Sequence, residues 1–251
     1  MRFIATADWQ LGMTAHFLDD EARARFHQAR LDTVAEIGRI AAQRDAGFVV
    51  VGGDVFESNQ LDRSILLRAF EALRACPVPV LLVPGNHDPL DASSIYRSRA
   101  FEDRCPPHVV VARSSEPFEL VPGVEVVAAP WFSKRPEVDL VAAACAGLEP
   151  PAEGMTRILV GHGAVASLNP DRESLATIDD AALATRIREG LIHFAVLGDR
   201  HSLTEVAPGI WYPGTPEVTA RRETAPGNVL LVEISGASPR VEALRTGRWR
   251  F

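Results

Sequence analysis

Short apolar runs of four to six residues recur along the chain, each closing on a glycine or a polar cluster and most separated by longer stretches with apolar positions at helical spacing. That alternation is an α/β pattern. The first run, Arg2 to Ala7, predicts a strand. A helix over Glu21 to Arg44 follows, in which Phe26, Ala29, Val34, Ile37 and Ile40 recur every third or fourth position. Next come a strand at Phe48 to Val51, a helix at Arg63 to Ala75 that stops before Pro77 and Pro79, and a strand at Val80 to Val83. Between His108 and Ala129 the runs shorten and are broken by Pro117, Pro122 and Gly123, which predicts antiparallel strands or a meander. A helix at Pro136 to Ala146, a strand at Arg157 to Val160, a helix at Asp179 to Glu189 and a strand at His193 to Leu197 complete the alternation. Beyond Gly198 the pattern is β-like, with runs at Ser202 to Val206, Ile210 to Tyr212, Asn228 to Ile234 and Arg240 to Leu244. No repeat, low-complexity tract or long linker divides the 251 residues, so they read as one domain, 1–251, with a mixed sheet.

Composition narrows the class. Hydrophobic residues at 47% and charged residues at 24% fit a folded globular chain rather than a disordered or fibrous one. The apolar stretches fall far short of the roughly 20 residues a bilayer crossing needs, and no basic-then-apolar leader precedes the first run; a cytoplasmic protein without a membrane role is expected. Cys76, Cys105 and Cys145 lie far apart with no CxxC pair and read as reduced thiols packed as small hydrophobes. A formal charge of -7 argues against nucleic-acid binding through the overall field, while local patches survive such averaging.

The candidate chemistry sits at strand ends. FIATAD closes on Asp8, VVVGGD on Asp54, VLLVPGNHD on Asn86, His87 and Asp88, ILVGH on His162, and FAVLGDRH on Asp199 and His201. In open α/β sheets, ligands bind in the crevice beyond the carboxyl ends of the strands, so these loops are expected to converge. Singly, each has an ordinary reading as a turn, a helix cap or a hydrogen-bonded histidine. Jointly, five strand ends carrying metal-type ligands in a chain of 7 histidines point to a metal centre. Such a cluster suits hydrolysis at phosphorus, where two cations clamp a phosphate and activate a water for in-line attack.

Asp8-x-Gln10, GGDVFE at 52–57, GNHD at 85–88, GH at 161–162 and GDRH at 198–201 stand in the order found in the calcineurin-like metallophosphoesterases, which this chain resembles over nearly its whole length. DWQLG at 8–12, GGDVFE and YPGTPE at 212–217 look most like the bacterial SbcD-type DNA-repair exonuclease branch. The resemblance implies a four-layer α/β sandwich of two mixed β-sheets flanked by helices. It implies one divalent metal on Asp8, Gln10, Asp54 and His201 and a second on Asp54, Asn86, His162 and Asp199, with Asp54 bridging. His87 would steady the transition state or protonate the leaving oxygen, oriented by Asp88. The expected activity is phosphodiester hydrolysis with DNA as substrate, beside an SMC-like ATPase partner and with a homodimer as one possible assembly. Relatives of that branch continue into a capping region and a helical ATPase-binding element, which are expected to be absent here. A phosphodiesterase or phosphatase acting on nucleotides or small esters, and a catalytically degenerate scaffold protein, stay open as alternatives.

Two positions depart from the commoner family pattern, which has histidine where this chain has Gln10 and often where it has Asp199. The exchange makes the donor set harder and richer in oxygen, which favours Mn2+, with Mg2+ next, over Zn2+ or Fe. A more neutralised pair should also acidify water less, giving an alkaline-shifted rate profile. Among the remaining polar and aromatic residues, His16, Trp131, Arg221 and Arg222 are candidates for substrate contact. Trp9, Trp131 and Phe132 could stack on a base or pack as core. Arg240, Arg245, Arg248 and Arg250 could meet phosphate or solvent. Glu57 faces the site or solvent, and His27, His108 and His193 are expected to be structural.

Overall fold

The structure is a computed structural model and describes residues 1–169, 171, 174–236 and 239–251. Its strands and helices in chain order are β1 (Arg2–Thr6), α1 (Asp20–Gln43), β2 (Val49–Val51), α2 (Arg63–Arg74), β3 (Val80–Leu82), α3 (Arg99–Glu102), β4 (Val109–Val111), β5 (Phe118–Val121) and β6 (Val124–Ala129). These are followed by α4 (Leu140–Ala144), β7 (Thr156–His162), α5 (Asp180–Arg188), β8 (Phe194–Gly198), β9 (Thr204–Ala207), β10 (Ile210–Tyr212), β11 (Asn228–Glu233) and β12 (Arg240–Arg245). Two six-stranded mixed sheets result, ordered β12-β11-β1-β2-β3-β4 and β5-β6-β7-β8-β10-β9.

The strands read as continuous apolar runs because both faces of each sheet are covered. Ile4, Val49, Val51, Val80 and Leu82 pack with Val34, Ile37, Leu66 and Phe70 of α1 and α2. Their neighbours in sequence, Phe3, Ala5, Phe48, Val50 and Leu81, point the other way and meet Val126, Ile158, Val160, Phe194 and Val196 of the second sheet. Val127, Leu159, Ala195 and Leu197 then face α4 and α5 through Val141 and Leu183. The four layers are thus helix, sheet, sheet and helix, as expected. At the central interface Phe3 stacks on Phe48 with centroids 5.0 Å apart, and Phe194 meets Phe3 edge-on at 5.8 Å.

Helix starts follow the capping carboxylates. Asp19 Oδ1 accepts from Ala22 N at 2.8 Å and Asp179 Oδ1 from Ala182 N at 2.9 Å, satisfying amides that have no partner within their helices. The helix expected from Pro136 is shorter for the same reason: Asp139 is its cap, and the helix runs only over Leu140–Ala144.

The stretch from His108 to Ala129 corrects the expected meander. β4 joins β3 in parallel at the edge of the first sheet, whereas β5 and β6 form an antiparallel hairpin around Pro122 and Gly123 in the second. β6 then pairs with β7 in parallel. Short β runs carry no mark of the sheet they will join; that choice falls to packing across the sandwich. The single turn at Ile95–Arg97 and α3, which bury Tyr96 and Phe101, have no counterpart among the expected elements, being too short to show a helical period. Among the described residues no helix is long and apolar enough to cross a membrane.

Candidate metal centre

Loops from β1, β2, β3, β7 and β8 meet where the two sheets abut. Asp8 N and Gln10 N donate to the carbonyls of Gly53 and Asp54 at 3.0 and 2.9 Å, laying the first two loops side by side. Across the sandwich, Asp199 N donates to Asp8 Oδ1 at 2.9 Å. Asp8, Gln10, Asp54 and Asp199 all hold left-handed backbone, with φ of 53°, 44°, 52° and 95°. That conformation costs a non-glycine residue on the order of 1–3 kcal/mol and persists where surrounding contacts impose it, as they do here.

Asp8, Asp54 and His162 form the tight centre: one ligand atom from each lies within 4.8 Å of the others, and all three residues are buried. Asp8 Oδ2 is buried with no hydrogen-bond partner among the described residues. Burial dominates the Asp8 carboxyl and raises it to about 6, with His201 and His162 opposing. His162 Nδ1 lies 2.9 Å from Gly52 O, so Nδ1 carries a proton, while Nε2 lies 2.7 Å from Asn86 Oδ1 and 3.5 Å from Asp54 Oδ1. Burial alone would lower His162; the facing Asp54, Asp8 and Asp199 prevail and raise it to about 9. A cluster that draws a proton onto a fully buried imidazole and leaves a carboxylate oxygen unpaired is one that fits cations.

The glycines in the motifs are consequences of this crowding. Gly53 has φ of 90°, and a Cβ there would sit 2.2 Å from His162 Nδ1. A Cβ on Gly85 would sit 2.2 Å from Asp54 Oδ1.

Around this centre lie Gln10, His87, Asp199 and His201, which line an open cavity of about 680 Å³ together with Arg200 and Arg222. Gln10 Nε2 is 3.2 Å from His201 Nε2. His87 N donates to Asp54 Oδ1 at 3.0 Å, and its ring Nδ1 lies 3.0 Å from Glu57 O and 3.7 Å from Glu57 Oε1. Nδ1 therefore donates to the Glu57 carbonyl, leaving Nε2, 3.9 Å from Asp54 Oδ2, as the nitrogen on the Asp54 side.

Asp88 departs from its expected role. Its Oδ1 accepts from Gly85 N at 2.8 Å, and its Oδ2 from Phe56 N at 3.0 Å and Tyr96 Oη at 2.6 Å. It ties the GNHD loop to the GGDVFE loop and does not touch the His87 ring; Glu57 orients that ring instead. Fully buried Asp88 rises to about 6, burial first and Asp54 second, against those three donors.

Substrate contacts also need correction. Trp131 is 8% exposed and donates from Nε1 to His162 O at 2.7 Å, so it braces the strand end carrying His162 and presents no stacking face. Trp9 is buried and donates to Thr6 Oγ1. His16 and Arg221 are exposed and lie outside the cavity lining, whereas Arg222 lines it. Arg248 pairs with Asp32 at 3.0 Å, and Arg245 donates to Pro226 O. His27, His108 and His193 bond to backbone groups away from the centre.

Several supporting residues are not among the candidate site residues. Arg30 of α1, buried, donates to Trp9 O at 2.8 Å, to Glu217 O at 3.3 Å and to Val218 O at 2.9 Å, tying the first metal-type loop to the end of the YPGTPE segment. Thr215 Oγ1 lies 2.9 Å from Asp8 O, and fully buried Glu217 accepts from Arg248 N and Trp249 N. The signal available for Arg30 is a lone arginine on the apolar stripe of α1; Thr215 and Glu217 belong to YPGTPE, a family marker whose buried polar bonds its spelling does not reveal.

Fold and site together define a metal-dependent phosphoesterase. A family model described as calcineurin-like phosphoesterase matches residues 1–221, and the chain belongs to that family. It is 34% identical over 94 residues to the SbcD component of the nuclease SbcCD of Rhodobacter capsulatus, a match covering 36% of this chain and 22% of the relative's length. A dimetal phosphatase from Danio rerio superposes with a TM-score of 0.56 at 15% identity, covering 97% of this chain and 95% of that one. A purple acid phosphatase from yellow lupin (Lupinus luteus) seeds gives 0.56 at 12% identity, covering 98% of this chain and 51% of its own. These superpositions speak for the fold.

Proposed function

We propose that this phosphoesterase is a DNA nuclease of SbcD type, using two Mn2+ ions, and that residues 1–251 form its catalytic domain. The observation that carries the metal-centre reading is the buried Asp8, Asp54 and His162 cluster with its unpaired Asp8 Oδ2, beside a cavity that Gln10, His87, Asp199 and His201 line together with Arg200 and Arg222. The match to a subunit of the nuclease SbcCD supports a nucleic-acid substrate and a partner subunit; DNA as that substrate, an SMC-like ATPase as that partner and a cytoplasmic setting belong to the same proposal. In this reading Asp8, Gln10, Asp54 and His201 hold one cation, and Asp54, Asn86, His162 and Asp199 hold the other. When bound, the cations supply Lewis-acid activation of the phosphoryl group and of the attacking water.

The rest of the work falls to the chain. Arg222 and Arg200 attract and orient the phosphate at the cavity mouth. His87, its Nδ1 proton engaged by the Glu57 carbonyl, offers Nε2 for proton transfer to the leaving oxygen. Asp88 holds the loop that carries Asn86 and His87 at a fixed distance from Asp54. Glu57, its carboxyl raised by burial, lies 3.7 Å from the same ring and helps to hold its orientation.

A second reading has one observation in its favour: a cavity of about 680 Å³ is the size of a nucleotide or small-ester site. Metal-stripped protein titrated with Mn2+ against labelled single- and double-stranded DNA and an aryl phosphodiester separates the two, with Asp54→Ala and His87→Ala as controls. DNA cleavage lost in both variants is the expected result. Turnover of the aryl ester alone would move the substrate to small molecules, and no turnover with any divalent metal would overturn the enzyme assignment in favour of a scaffold.

A further inference from the structure

His201 closes the GDRH motif, yet what decides its chemistry comes from a segment no motif marks. Its Nδ1 lies 2.7 Å from Thr219 Oγ1 and 3.1 Å from Glu223 Oε1. Glu223 is nearly enclosed, its side chain 5% exposed, and its Oε2 accepts from Thr219 N at 2.9 Å. The Thr219 hydroxyl is itself bonded to Glu223 Oε1. A carboxylate has no proton to give, so of the two groups in contact, the ring nitrogen must be the donor. The opposite tautomer would set the Nδ1 lone pair against a carboxylate oxygen. With Nδ1 protonated, Nε2 carries the lone pair, and the Gln10 amide nitrogen lies 3.2 Å from it. Two contacts on opposite sides of the ring therefore agree on one tautomer.

We propose that Glu223, with Thr219, is a positioning residue that fixes the tautomer and tilt of His201 so that Nε2 faces the centre occupied by Asp8 and Gln10. The inference rests on the metal assignment above for its consequence, but not for its test. Carboxylate partners of ligating histidines set ring orientation and basicity, and their loss commonly weakens metal binding about 10–100-fold. The same segment serves the cavity: Ala220, Arg222 and Thr224 line it, and Thr224 N bonds Ser202 Oγ. One loop thus carries a cavity-lining arginine, Arg222, beside the carboxylate that contacts His201.

The tautomer is read directly, without metal, from two-bond 1H–15N correlations of the His201 ring at a pH where it is neutral. The Nδ1–H form is expected in the wild type, and a mixture or the Nε2–H form in Glu223→Ala. Calorimetric titration with Mn2+ should then show one of two binding steps weakened about 10–100-fold in Glu223→Ala, with Glu223→Asp recovering part of the loss. An Nε2–H ring in the wild type, or an Nδ1–H ring unchanged in Glu223→Ala, would overturn the inference whatever the activity of the enzyme. If Glu223→Ala does not fold, Glu223→Leu, which keeps the bulk but offers Nδ1 no acceptor, carries the same two readouts. Wild-type protein that shows the expected tautomer but binds no divalent metal would sink the functional assignment instead.

Discussion

Asp88 tests whether burial or hydrogen bonding governs the floor of the site. Its carboxylate is fully buried and accepts three hydrogen bonds, yet burial raises it from 3.8 to about 6. A carboxyl group raised on folding binds more protons in the native state than in the unfolded one. Its stabilising contribution is therefore complete below about pH 3.8 and is lost as the pH rises towards about 6. For this fully buried group, linkage between those values makes the wild type lose about 2 kcal/mol between pH 4.5 and 7.5 through Asp88 alone. Asp88→Asn keeps one acceptor oxygen and the shape but cannot titrate. The difference in unfolding free energy, variant minus wild type, should therefore rise by about 2 kcal/mol over that interval, or roughly 4–8 °C in the difference of midpoints. The comparison is made by thermal and urea unfolding of metal-free protein, where titrating groups not coupled to Asp88 cancel between the two proteins. A flat or falling difference would show that Gly85 N, Phe56 N and Tyr96 Oη outweigh desolvation, and the reasoning on burial would be wrong.

Metal uptake should release protons near pH 7, because His162, held up to about 9, must lose the Nε2 proton to become a ligand. Affinity then falls with falling pH, and titrations in buffers of different ionisation enthalpy should show it; heats independent of buffer would count against the assignment. Trp131→Phe strips the buried His162 carbonyl of its donor and should cost about 1–3 kcal/mol of stability while leaving affinity for single-stranded DNA unchanged, whereas a stacking role predicts the reverse. Gly85→Ala drives a methyl group into Asp54 Oδ1 and should lower kcat by about 100-fold or more, with metal content, measured by elemental analysis, falling in step; a well-loaded, active variant would disprove the tight fit.

Much of the fold was legible because its physical causes are local. The helix starts expected at Glu21, Arg63 and Asp179 fall within one residue of the observed ones, where Asp19, Asp62 and Asp179 cap the first turns, and strands covered on both faces must be apolar throughout. The strand-end position of Asp8, Asp54, Asn86, His162, Asp199 and His201 was equally readable, since motif residues and glycines lie next to each other in the chain. What Asp88 and Trp131 touch was not readable: Asp88 follows His87 directly, yet its partners Phe56 and Tyr96 are brought in by other segments, and Trp131 meets His162 from the loop that follows β6.

The sequence by itself determined the residue types, the order of the elements and the loops in which the chemistry resides, because periodicity, capping and turn chemistry act over a few positions. Only the tertiary structure decided that β4 and β5 part into different sheets, that Arg30 clasps the first loop and that Glu223 reaches His201 across 22 positions. Those contacts depend on how two sheets pack face to face, and a side chain's partner across that interface leaves no trace in the spacing of its own neighbours.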